Sequence, residues 1–123
     1  MRSLLITSLV LFIAISSGTQ ALAQQKAKKG ETISIKTSAQ CEMCKERLEM
    51  AMAYEKGVYE SELNLETKEF SVRFNPKKTD ATKIKDAISK TGYDADDVAA
   101  DEKAYEKLPA CCKKPDDPDY IGH

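Results

Sequence analysis

The sequence predicts an α+β fold in the order βαββαβ, preceded by a targeting segment and followed by a short helical extension. Three observations carry this. Alternating apolar stretches at residues 31–38, 58–65 and 69–74 read as strands. Two stretches with apolar residues at helical spacing, 44–56 and 81–91, fall after the first and third of these. The links between them are short and rich in turn residues.

The chain has 123 residues. After Met1-Arg2-Ser3 comes an apolar run over 4–15, then small and polar residues ending in Ala21-Leu22-Ala23, a small-x-small cleavage pattern. The run is short for a membrane span, which needs about 20 residues. Residues 1–23 therefore read as a secretory signal peptide, and the mature protein, from Gln24, is expected to be periplasmic or secreted with no stable membrane insertion. Residues 24–30 are polar and aperiodic, a flexible leader. A formal net charge of −1, with no dense basic block, gives no reason to expect nucleic acid as a partner. The length beyond residue 23 suffices for one small domain, residues 31–98, with an extension over 99–123.

In the first strand Ile33 and Ile35 alternate with polar residues. It delivers the chain to Cys41-Glu42-Met43-Cys44 at the head of a helix whose inner stripe is Leu48, Ala51 and Met52. Met43, Met50 and Met52 read as core filling, with Met43 the one placed near the thiols. Gly57 closes the helix. Tyr59, Ser61, Leu63 and Leu65 share one face of the second strand, and Phe70, Val72 and Phe74 share one face of the third. Glu66-Thr67-Lys68 turns between them. Asn75-Pro76 stops the third strand. Thr79 or Asp80 can cap a second helix with Ala81, Ile84, Ala87 and Ile88 inward, and Gly92 ends it. Residues 93–98 read as a weak last strand with Asp94, Asp96 and Asp97 on a solvated edge. Residues 101–108 can form two helical turns that Pro109 halts, and Cys111-Cys112-Lys113-Lys114 leads into a Pro/Asp tail ending at His123, a mobile spectator.

The chemistry is concentrated in Cys41 and Cys44. At a helix N-terminus, unpaired amides and the dipole favour thiolates, the form that soft metals require. Lys45 and Arg47 add positive charge nearby. The spacing alone serves zinc, soft-metal carriage, dithiol redox chemistry or a plain disulfide, and in an exported chain an even count of four cysteines keeps disulfides in view. With a single terminal histidine there is no base beside a nucleophile, so no enzymatic constellation is visible.

The order of elements is that of a split βαβ sandwich, the ferredoxin-like fold. Here the sequence resembles the heavy-metal-associated domain, found in copper chaperones, copper-transporting ATPases and periplasmic mercury-binding proteins. The resemblance covers residues 31–98 and rests on Cys41-x-x-Cys44, Gly57-Val58, Leu65-Glu66-Thr67-Lys68, Asn75-Pro76 with Thr79, and Thr91-Gly92-Tyr93. It implies a non-enzymatic metallochaperone whose metal ligands are Cys41 and Cys44, with Cu(I) as the leading cargo, zinc or mercury as the other soft ions, and a metal-transporting or metal-accepting protein as partner. It places Tyr93 beside the metal loop in a supporting role. The family usually carries Met two residues before the first cysteine, often preceded by Gly; here those positions hold Ala39 and Ser38. Either the loop is looser or Met43 packs in the missing side chain's place. Two other functions stay open: a dithiol-disulfide oxidoreductase with Cys41 as the exposed nucleophile and Cys44 resolving, and a disulfide-stabilised interaction module.

Cys111 and Cys112 lie outside the family pattern. A last strand antiparallel to the first would leave the extension starting far from the metal loop. Such a strand spans roughly 17–20 Å, whereas eight helical residues cover about 12 Å and three extended ones about 10 Å, so the extension can just return. Adjacent Cα atoms are about 3.8 Å apart, below the roughly 4.4–6.8 Å of ordinary disulfides, so bonding between these neighbours is disfavoured. Cys111 and Cys112 are therefore candidate additional metal ligands.

Overall fold

A computed structural model of the chain describes residues 29–122. The signal peptide read over residues 1–23, most of the leader and His123 lie outside the described residues. Strands β1 (Glu31–Lys36), β2 (Val58–Asn64) and β3 (Glu69–Phe74) form an antiparallel sheet in the order β1-β3-β2. Helices α1 (Glu42–Tyr54) and α2 (Ala81–Thr91) pack together, α1 lying against β2. A short α3 (Glu102–Glu106) leans on α2, and a 3-10 turn, Ala110–Cys112, follows. This is the ferredoxin-like α+β sandwich that the order of elements predicts.

The core fills the space between sheet and helices. Ile35, Phe70, Val72 and Phe74 from the sheet meet Cys44, Leu48 and Met52 of α1 and Ile84 and Ile88 of α2, all buried. Burying each large apolar side chain stabilises the fold by about 1.5–3 kcal/mol, which makes this interdigitation the main force holding the base of the cysteine loop in place. Asp80 caps α2 by accepting a hydrogen bond from the Lys83 amide at 2.9 Å. Thr79, the other candidate cap, is instead buried.

Two details of the β2–β3 hairpin differ from the expected pattern. Asn64 Oδ1 accepts from the amides of Glu66 and Thr67 at 2.9 and 3.1 Å, so the turn begins at Asn64 and leaves Leu65 out of the strand. A bulge between Val58 and Glu60 shifts the register. Tyr59 consequently faces solvent, where Arg73 stacks 4.9 Å from its ring centre, and Val58 takes the place against the core.

The weak last strand over residues 93–98 reduces to isolated bridges. Ala95 pairs with Thr37 and with Val98. Asp96 sits at φ +52°, and its carboxylate accepts from the Lys36 amide at 2.8 Å while its own amide donates to Lys36 carbonyl oxygen at 2.8 Å. The chain turns back at Asp96 after these contacts with the end of β1, because Asp tolerates this left-handed backbone and resists extended pairing. The extension therefore never travels the length of the sheet.

Instead it folds straight over α2. Ser89 holds it twice: its hydroxyl donates to Ala99 carbonyl oxygen at 2.7 Å, and its carbonyl accepts from the Asp101 amide at 3.0 Å. Asp101 caps α3 through the Ala104 amide at 2.9 Å. Gly92, the C-cap of α2 at φ +108°, is close-packed as well as left-handed, since a Cβ there would stand 3.0 Å from Ala104 carbonyl oxygen.

Candidate metal centre

Cys41 is the N-cap of α1 and Cys44 lies in its first turn. Their sulfurs converge to 3.1 Å at the end of the helix where main-chain amides are unpaired. Cys44 is fully buried and Cys41 half-buried, so one thiol forms the floor of the loop and the other its rim. The loop before them is fixed from below. Ala39 is buried, its amide donates to Thr37 Oγ1 at 3.3 Å, and Ser38 Oγ accepts from the Asp94 amide at 2.9 Å. Thus the Ser38 and Ala39 that replace the family's usual pair are both engaged, and the loop is anchored without Met.

The structure brings the C-terminal cysteines to the same place. Cys112 Sγ is 3.8 Å from Cys41 Sγ, and Cys111 Sγ is 4.0 Å from Cys112 Sγ. Cys112 is buried in the common core together with Leu108, while Cys111 is half-buried. Met43 does not pack inward in place of the missing Met. It is exposed, with its Sδ 3.9 Å from Cys111 Sγ. Of the three methionines read as core filling, Met52 alone is buried; Met50 also faces solvent.

Lys45 is turned away from the thiols, bonding Glu49 at 2.6 Å and Leu63 carbonyl oxygen at 2.9 Å. What polarises the cluster is its internal hydrogen bonding. Burial opposes ionisation of Cys44, yet its thiol is held below the ordinary range, because the Gln40 backbone and the neighbouring Cys112, Cys41 and Tyr93 side chains favour its thiolate. Burial and the contact with Cys44 push the Cys41 thiol up, and the same two causes push Cys112 up much further. Tyr93 is fully buried behind the sulfurs. Its hydroxyl has no nitrogen or oxygen partner, and burial together with Cys44 and Cys112 drives its ionisation far above the usual range.

Several residues that hold this arrangement escaped the sequence. Asp94, read as solvated edge, accepts from the Ala100 amide at 2.9 Å and pairs with Lys114 at 2.7 Å. Tyr105 Oη accepts from the Lys114 amide at 2.9 Å and donates to Asp117 at 2.8 Å, and Gln40 Nε2 donates to Lys113 carbonyl oxygen. The available signal was Lys113-Lys114 directly behind two cysteines, a basic pair among aspartates.

The fold and site together are a small α+β sandwich that carries a dithiol loop at a helix N-terminus. The chain belongs to the heavy-metal-associated domain family, whose pattern matches residues 38–94. Copper chaperone CopZ of Staphylococcus aureus (strain bovine RF122 / ET3-1) is 39% identical over 54 residues, 44% of this chain and 79% of that protein. A copper-exporting P-type ATPase of Staphylococcus aureus (strain JH9) is 37% identical over 59 residues, 48% of this chain; the chain spans only 7% of the ATPase's length. Among solved structures, a CopZ metallochaperone superposes with a TM-score of 0.51 at 30% identity, covering 53% of this chain and 98% of that one.

Proposed function

We propose that the protein is an exported carrier of a soft metal ion, with Cu(I) as cargo, which it takes up on the thiolates of Cys41 and Cys44 and passes to a metal-transporting or metal-accepting protein by ligand exchange. The observation that carries this reading is the convergence of the two sulfurs at the N-terminus of α1, one buried and one at the surface. Thiolate sulfur selects Cu(I), zinc or mercury over hard ions. The relatives, named for copper, support Cu(I) among these. In the transfer step an acceptor thiolate bonds to the ion while a carrier sulfur leaves it, so no electron changes hands and each displaced thiolate is free to take a proton from water.

The reading is of a binding protein rather than a catalyst. An oxidoreductase works through an accessible attacking sulfur, whereas here Cys44 is fully buried and Cys41 is itself half-buried beneath Cys111 and Cys112. Export rests on the apolar run and the Ala21-Leu22-Ala23 pattern.

The test is anaerobic Cu(I) titration of the reduced protein against a chromogenic Cu(I) chelator. The wild type should compete for one equivalent, and Cys41→Ser/Cys44→Ser should lose at least a hundredfold in affinity. Equal affinity in the two proteins would sink the assignment.

A further inference from the structure

The sulfurs of Cys41, Cys111 and Cys112 all lie within 4.8 Å of one another. Metal–sulfur bonds of about 2.3 Å place sulfurs about 4.0 Å apart around a three-coordinate ion and about 4.6 Å apart across a linear one. The Cys41–Cys112 and Cys111–Cys112 separations, 3.8 and 4.0 Å, already match the three-coordinate edge. Cys41 and Cys44, at 3.1 Å, must spread before they can share an ion in either geometry.

Core filling accounts for buried Cys112 but not for its neighbour. Cys111 is half-buried and packs only at the edge of the core, and its sulfur lies 3.9 Å from Met43 Sδ and within 4.8 Å of Cys41 Sγ. The segment that carries the pair is also built, not draped. Leu108 is buried beneath it, Tyr105 bonds both the Lys114 amide and Asp117, Lys114 pairs with Asp94, and Gln40 of the metal loop bonds Lys113 carbonyl oxygen. Two consecutive thiols, which bond poorly to each other, are thus held over the dithiol loop.

We propose that Cys111 and Cys112 are metal ligands, and that with Cys41 they form a three-thiolate seat for a soft metal ion. This rests on the reading of Cys41 as a ligand and deepens it. Each thiol that ligates releases its proton to solvent, and the third sulfur raises affinity and excludes an acceptor until the C-terminal segment is exchanged. Cys41 is then common to this seat and to the Cys41/Cys44 pair, so an ion can move between them with one bond kept throughout.

X-ray absorption of the purified, reduced protein loaded with one equivalent of Cu(I) reads the number of sulfur neighbours directly. Three are expected in the wild type. In Cys111→Ala/Cys112→Ala two are expected, with Cu(I) affinity at least tenfold lower against the chelator. Cys111→Ala alone removes a half-buried side chain with little risk to the core and should also drop the count to two. Two sulfur neighbours in the wild type, or unchanged count and affinity in both variants, overturns the three-thiolate seat while leaving the dithiolate carrier intact. No Cu(I) binding by the wild type overturns both.

Discussion

Asp94 and Lys114 meet at 2.7 Å, and through that contact the residue after Tyr93 is tied to the residue two positions after Cys112. The same carboxylate accepts from the Ala100 amide at 2.9 Å, so one side chain fixes both the departure of the extension from the domain and its return. Burial favours the neutral acid, but Lys114 and the Ala100 amide hold the Asp94 carboxyl below its ordinary value of 3.8. The hydrogen bond to Asp94 in turn raises Lys114 above 10.5.

The sign of the pH dependence follows. A depressed carboxyl contributes stability above its unfolded pKa and loses it as pH falls through the folded one; a raised ammonium does so below its unfolded pKa and loses it as pH rises through the folded one. The pair's contribution is therefore full between 3.8 and 10.5, and it is lost only as pH falls below 3.8 through the depressed Asp94 value or rises above 10.5 through the raised Lys114 value. Both side chains are partly exposed, so Asp94→Asn should cost only about 0.5 kcal/mol. Hydrogen exchange should accelerate in residues 100–121 with the sheet unchanged; equal acceleration in β3 would mean that the pair supports the whole domain.

Gly92→Ala places a methyl group against Ala104 carbonyl oxygen and forces a left-handed backbone on a residue that resists it. A loss of about 1–3 kcal/mol in urea unfolding is expected. A change below about 0.3 kcal/mol would show that α3 moves away without cost.

The methionines of α1 should separate sharply. Met52 is buried, and Met52→Ala should cost about 2–5 kcal/mol through the cavity left behind. Met50 faces solvent, and Met50→Ala should stay within about 0.5 kcal/mol. Comparable losses at the two positions would contradict the orientation of the helix.

Export is open to a direct measurement. Expressed in a host that secretes it, the chain should be cut after Ala23, so that N-terminal sequencing of the mature product begins at Gln24-Gln25-Lys26. Recovery of the protein from the cytosol with Met1 in place would remove export and, with it, the argument for an oxidising environment.

Much of the domain was legible because local signals agreed with one another. Phe70, Val72 and Phe74 alternate and are buried, Asp80 caps, and Gly92 ends α2 in a left-handed conformation. Where the reading slipped, a single side chain redirected the backbone. Asn64 pulled the hairpin turn forward, the bulge before Glu60 put Tyr59 outside, and the turn at Asp96 left the last strand as isolated bridges. Such effects depend on which main-chain groups lie within about 3 Å, and spacing along the chain does not carry that information.

By itself the sequence determined the βαββα order of the domain's elements and the place of Cys41 and Cys44 at a strand-helix junction, because hydrophobic period and turn chemistry are local properties. Only the tertiary structure decided that Cys44 is the buried thiol, that Met43 meets Cys111, and that Cys112 comes within 3.8 Å of Cys41. Those outcomes follow from residues about 70 positions apart in the chain packing into one core, where the path of the extension is set by the turn at Asp96 and the contacts of Ser89, Asp94 and Tyr105 rather than by anything the cysteines' own neighbours encode.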